Sequence, residues 1–177
     1  MSDAPQPPSP PNGSGGGNGG NGAAPPSGAG PIAINVQYVK DLSFEVPGAP
    51  EVFAQLREQP RVDVGLDVQV RPLQGGNVFE VTLQIRCDAK SGELTAFIAE
   101  LSYSGIFTLN VPQEAVEPVL LVECPRLLFP FARAILADAT RDGGFAPVLL
   151  TPIDFVALWQ ARRAAAAQPQ APGPALA

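Results

Sequence analysis

Residues 61–104 read RVDVGLDVQVRPLQGGNVFEVTLQIRCDAKSGELTAFIAELSYS. Val62, Val64, Leu66, Val68 and Val70 alternate with Asp63, Asp67, Gln69 and Arg71; Phe79, Val81, Leu83 and Ile85 then alternate with Glu80, Thr82, Gln84 and Arg86. Phe97, Ala99, Leu101 and Tyr103 form one face of a third run, Ile98, Glu100, Ser102 and Ser104 the other. This period predicts strands over 61–71, 78–88 and 93–104. Gln74–Asn77 and Ala89–Gly92 are short turn sequences, so the strands form an antiparallel meander.

Upstream, Ile32, Ile34, Val36, Tyr38, Leu42, Phe44 and Val46 occupy the even positions of a first strand, with Lys40 as the break. A crossover from Pro47 to Pro60 lets that strand lie beside the fourth in a Greek key. Downstream, a short helix fits Pro112–Glu123 and a longer one Pro125–Asp142, where Leu128, Phe131, Ala132, Ile135 and Leu136 fall at helical spacing before Gly143 and Gly144. A last helix opens with Thr151 as cap and Pro152 in the first turn, and carries Phe155, Leu158 and Trp159 as its apolar stripe. The expected class is α+β, a four-stranded antiparallel Greek-key sheet followed by C-terminal helices that pack on one face.

Residues 1–31 hold nine of the 18 glycines and eight of the 21 prolines, with Asp3 their only charge. Ordering such a segment costs about 1–2 kcal/mol per residue with no burial to offset it. It reads as a disordered extension, and its Gly15, Gly17 and Gly20 match a dinucleotide fingerprint without the flanking strand and helix that the chemistry requires. The folded domain is expected over 32–163, with a flexible tail over 164–177.

The net charge of -6 and pI near 4.5 argue against nucleic acid, which is held by clustered Lys and Arg. They argue equally against anionic membrane surfaces. No stretch reaches the ~18–20 apolar residues of a membrane span, and the N-terminus lacks the basic and apolar regions of a signal peptide. A cytoplasmic protein without direct membrane insertion is expected. Cys87 and Cys124 belong to no C-x-x-C pattern and read as reduced, buried thiols.

With no histidine, the commonest general base and metal ligand is missing. Two isolated cysteines fall short of a structural zinc site. G-x-S-x-G, P-loop and H-E-x-x-H patterns are absent from the sequence. An enzyme is not expected, nor a metal or cofactor.

Longer motifs are more specific. Lys40-Asp41-Leu42-Ser43-Phe44-Glu45-Val46-Pro47-Gly48-Ala49-Pro50 resembles the K-D-x-S-F-E-x-P-x-A-P opening of the SecB export chaperones. Gly105-Ile106-Phe107 follows the fourth strand as in that family. Cys124-Pro125-Arg126-Leu127-Leu128-Phe129-Pro130-Phe131-Ala132-Arg133 resembles its central helix segment. Gly144-Phe145-Ala146-Pro147 and Leu149-Leu150-Thr151-Pro152-Ile153-Asp154-Phe155 resemble its ending. The matches arrive in order from about Ile34 to Trp159.

The resemblance implies a homotetramer, a dimer of dimers, that holds unfolded secretory precursors and passes them to the SecA ATPase. It implies a SecA-docking set of Asp41, Glu45, Ile98 and Glu100 on the wet sheet face. Binding extended clients needs apolar side chains and no cofactor. Val52, Phe53, Phe155, Leu158 and Trp159 are the candidates for that groove. The alternative is a SecB-like module dedicated to a single partner, such as a toxin-antitoxin system. The ending Ala171–Ala177 lacks the acidic tail some members offer to SecA.

Overall fold

The computed structural model describes residues 30–167. Apart from Gly30 and Pro31, the expected N-terminal extension lies outside the described residues, as does the tail beyond Ala167.

Four strands, β1 (Ile32–Glu45), β2 (Arg61–Pro72), β3 (Val78–Ser91) and β4 (Leu94–Leu109), form one antiparallel sheet in the order β1-β4-β3-β2. The meander and the placing of the first strand beside the fourth are as the turns and crossover predict. β4 runs past the expected end at Ser104, because Gly105–Leu109 keep the alternation through Phe107 and Leu109.

β1 departs from the expected uniform parity. Its pairing with β4 shifts between Ile34 and Val36 and again between Val39 and Asp41. Each shift is a bulge that turns the following residues to the opposite face. Val36 and Tyr38, expected among the inner residues, therefore lie opposite Ile106 and Ser104 on the outer face. The second shift restores Leu42 and Phe44 to the inner side, opposite Leu101 and Ala99.

The crossover contains a short helix that its prolines did not announce, α1 (Val52–Gln55). After β4, α2 (Gln113–Pro118), a wide helical turn at Val119–Glu123 and α3 (Cys124–Asp142) form one run. The amide of Cys124 bonds the carbonyl of Val119, five residues back, and Pro125 has no N–H with which to continue a tighter ladder. α3 ends at Gly143 and Gly144, the latter at φ +88°, where a side chain is strained.

α4 (Phe155–Ala167) starts later than the sequence predicts. Asp154, not Thr151, caps it: its Oδ1 accepts the amides of Val156 and Ala157, each at 3.0 Å. Thr151–Asp154 precede the helix without regular structure. The helix also continues through Ala164–Ala167, where the tail was expected to begin.

The helices pack on one face of the sheet. Val81, Leu83, Ile85 and Cys87 of β3 and Ala99 and Leu101 of β4 are buried there with Leu128, Ala132 and Leu136 of α3. Each large side chain so buried contributes roughly 1.5–3 kcal/mol. Gly105 allows the close approach, since a Cβ there would sit 2.7 Å from the Phe107 ring and 2.8 Å from Leu128.

Candidate functional site

Two surfaces on opposite sides of the sheet differ sharply in chemistry. On the outer face, register places Asp41 opposite Ser102, Ser43 opposite Glu100, and Glu45 opposite Ile98. Side chains at these paired positions share a face. The four residues expected to form a docking set thus lie together, on the half of the sheet shared by β1 and β4. The rows continue onto β3 and β2: Ser102 to Gln84 and Asp67, Glu100 to Arg86 and Gly65, Ile98 to Asp88 and Asp63.

This end of the face is rich in carboxylates, with Asp41, Glu45, Asp63, Asp67, Asp88 and Glu100 against Arg61, Arg86 and Lys90, and Arg162 of α4 pairs with Asp67. Arg86 lies in its middle, bonding Asp88 at 2.8 Å and pairing with Glu100. The Arg86 hydrogen bond pulls the Asp88 carboxyl below its ordinary range, and Asp88 in turn holds the Arg86 guanidinium more firmly charged. Asp41 and Glu45 are exposed, and among the described residues neither has an ion-pair partner. They are free to meet a basic surface.

The other surface is an apolar groove of about 560 Å³ on the helix side. Val62, Val64 and Leu66 at the start of β2 form one wall; Phe145, Leu149 and Ile153, from the segment between α3 and α4, form the other. Phe97 lies at its floor with its ring centroid 4.8 Å from that of Phe145, and Phe53 packs on Phe145 at 5.3 Å. The second wall hangs from α3 through a buried hydroxyl: Thr140 Oγ1 accepts the Val148 amide at 3.0 Å and donates to the Leu136 carbonyl at 2.9 Å.

None of the five residues expected to line a client groove is among those that line this pocket. Val52 is 0% exposed and Phe155 1%, so both belong to the core and neither offers a surface to a client. Helical spacing marks a stripe as buried without saying whether the chain itself covers it. Leu158 and Trp159 are half-buried on α4, where the Trp159 indole donates to Glu117 and Arg163 stacks on its ring. Phe53, 47% exposed, packs on Phe145, which lines the groove. The missed residues Phe145 and Leu149 carry a legible signal: large apolar side chains in a Pro-containing segment with neither helical nor strand period.

Both cysteines are free and buried. Desolvation raises the thiol of Cys87 to about 11 and that of Cys124 to about 12. Among the described residues no three His, Cys, Asp or Glu side chains gather as a metal site, and no helix is long and apolar enough to cross a membrane.

The family of the preprotein translocase subunit SecB matches residues 27–166 of the chain. A protein-export protein SecB of Granulibacter bethesdensis is 66% identical over 147 residues, covering 78% of this chain and 86% of that one. Another, from Acidiphilium cryptum, is 60% identical over 149 residues, 76% of this chain and 90% of the other. Among solved structures, a SecB-like chaperone of Mycobacterium tuberculosis, in complex with a ChAD peptide from the HigA1 antitoxin, has a similar fold. Its TM-score is 0.57 at 16% identity, over 69% of this chain and 90% of that chain.

Proposed function

Because the chain belongs to the SecB family, we propose that it is a protein-export chaperone: it holds unfolded secretory precursors in the cytoplasm and delivers them to the SecA ATPase. The observation that carries the reading is the separation of the two surfaces, an apolar groove on one side of the sheet and an acidic strip on the other. A holdase needs sequence-tolerant burial of extended segments, and a groove walled by Val62, Leu66, Phe145 and Leu149 supplies apolar area without polar readout. Delivery needs a second contact that leaves the groove occupied. Asp41, Glu45, Ile98 and Glu100 supply it on the far face, with charge for a basic partner and Ile98 for apolar contact.

The chain assembles as a dimer of dimers. Supporting this, β1 has no neighbour on its outer edge among the described residues, and an exposed strand edge of 14 residues invites pairing with a second copy. Ile34, Val36, Val39 and Leu42 are exposed along it, and Leu127 and Phe131 are exposed on α3, the latter by 51%.

The deciding experiment is calorimetric binding to SecA from the same organism, comparing wild type with Asp41→Ala/Glu45→Ala. Wild-type binding, lost in the double variant while it remains assembled, is the expected result. Absence of wild-type binding overturns the export role. Capture of one tight folded partner in place of many unfolded clients would then mark a dedicated module.

A further inference from the structure

The outward presentation of Asp41 and Glu45 depends on the second bulge in β1. Between the bulges, Val36 and Tyr38 point outward; beyond Lys40 the parity reverses, so that Leu42 and Phe44 turn inward and Asp41, Ser43 and Glu45 outward. Without the extra residue at Lys40, pairing continued from Tyr38 would turn Asp41 and Glu45 toward the helices and Leu42 and Phe44 toward solvent. Something must hold that irregularity in place.

Glu80 on β3 is built to do so. It is 3% exposed, although it lies on the outer face. Lys40 reaches across β4 and places its Nζ 3.1 Å from both carboxylate oxygens. Tyr38, on the near side of the bulge, donates its hydroxyl to Oε1. Arg71 Nε, from β2, closes the other side at 2.9 Å from Oε2. One carboxylate therefore grips both β1 side chains that flank or form the bulge and ties them to the opposite edge of the sheet. Beside Tyr38, Ser104 of β4 and Thr82 of β3 share a buried hydrogen bond of 2.8 Å, and the small Ser104 side chain leaves room for the reach. On the inner side, the Phe44 ring stacks on Phe97 at 5.4 Å and pulls the same segment the same way.

We propose that Glu80 is the positioning residue of the acidic docking strip: by gripping Tyr38 and Lys40 it locks the β1 bulge and turns Asp41 and Glu45 outward. The proposal rests on the docking reading above, and it adds residues that touch no partner.

The test uses the full chain with Glu80→Gln, which keeps the shape and removes the charge, and Lys40→Met, which keeps the stem. Hydrogen exchange followed by mass spectrometry reports the amides of residues 38–45 against those of β2 and β3. The expected result is exchange in 38–45 accelerated roughly tenfold beyond any acceleration in β2 and β3, with SecA affinity weakened about tenfold and client binding unchanged. The double variant should be no worse than Glu80→Gln, because both remove one contact. Uniformly faster exchange through the whole sheet overturns the proposal, since Glu80 would then serve general stability. So does faster local exchange with unchanged SecA affinity, and so does no change at all. If the wild type itself fails to bind SecA, the docking reading falls, and with it the role of the strip, while the exchange data still decide whether Glu80 locks the bulge.

Discussion

Lys40 on β1 and Glu80 on β3 meet at 3.1 Å over β4, the strand that separates them. The Tyr38 hydrogen bond, with Arg71 and Lys40, holds the Glu80 carboxyl down to about 2 against the upward push of burial. A depressed carboxyl stabilises the fold above its unfolded range, near 4.5, and that part is lost as pH falls toward 2. Lys40 and Arg71 are half-exposed or more, so solvent screening leaves a contribution of about 2 kcal/mol. Denaturant unfolding of wild type and Glu80→Gln should differ by about that much more at pH 6 than at pH 2.5. A difference independent of pH would remove the electrostatic account.

Gly105 marks the contact between α3 and β4. An added methyl meets Phe107 and Leu128, both fully buried with little freedom to retreat. Gly105→Ala should cost roughly 1–3 kcal/mol and lower the melting temperature at fixed protein concentration. A melting temperature equal to wild type would contradict the packing.

A buried hydroxyl is one of the ties that hold the second groove wall, beside the Phe145 amide on the Thr140 carbonyl and the packing of the Phe145 ring on Phe53 and Phe97. Thr140→Val keeps the shape but leaves the Val148 amide without its acceptor. The expected cost is about 1–3 kcal/mol, with weaker binding of an unfolded model client, because the Val148–Leu149 stretch loosens from α3. Unchanged client affinity in a variant of lowered stability would separate the wall from the function.

Phe145→Ala and Trp159→Ala distinguish groove from helix packing. Phe145 faces the groove; Trp159 sits on α4 against Glu117 and Arg163. Fluorescence anisotropy with a labelled unfolded client should weaken about tenfold in the first and little in the second. The reverse order would move the client path onto α4.

Neither thiol should react in the native protein. Cys87 and Cys124 are 0% exposed, and burial raises both far above neutral pH. A thiol reagent at pH 7.5 should label both only after denaturant is added. Rapid native labelling of either would place it at the surface.

The alternation over 61–71 and 78–104 determined three strands, their antiparallel pairing and the buried face. Period-two pleating leaves little choice once one face is apolar, and short turns allow only adjacent pairing. The shared face of Asp41, Glu45, Ile98 and Glu100 was legible in the parity of each strand, while their register across β1 and β4 was not. Their meaning as a SecA contact came from the motif and not from the pairing.

What tertiary structure decided is of another kind. The alternation of β1 shows only a break at Lys40; that the break is a bulge was decided by its contact with Glu80, 40 residues away. Val52 and Phe155 look like Phe53 and Trp159 to any local pattern, yet they are core. Periodicity reports that a side chain prefers to leave water; only the packed fold settles whether its own chain covers it or leaves it at the edge of a groove.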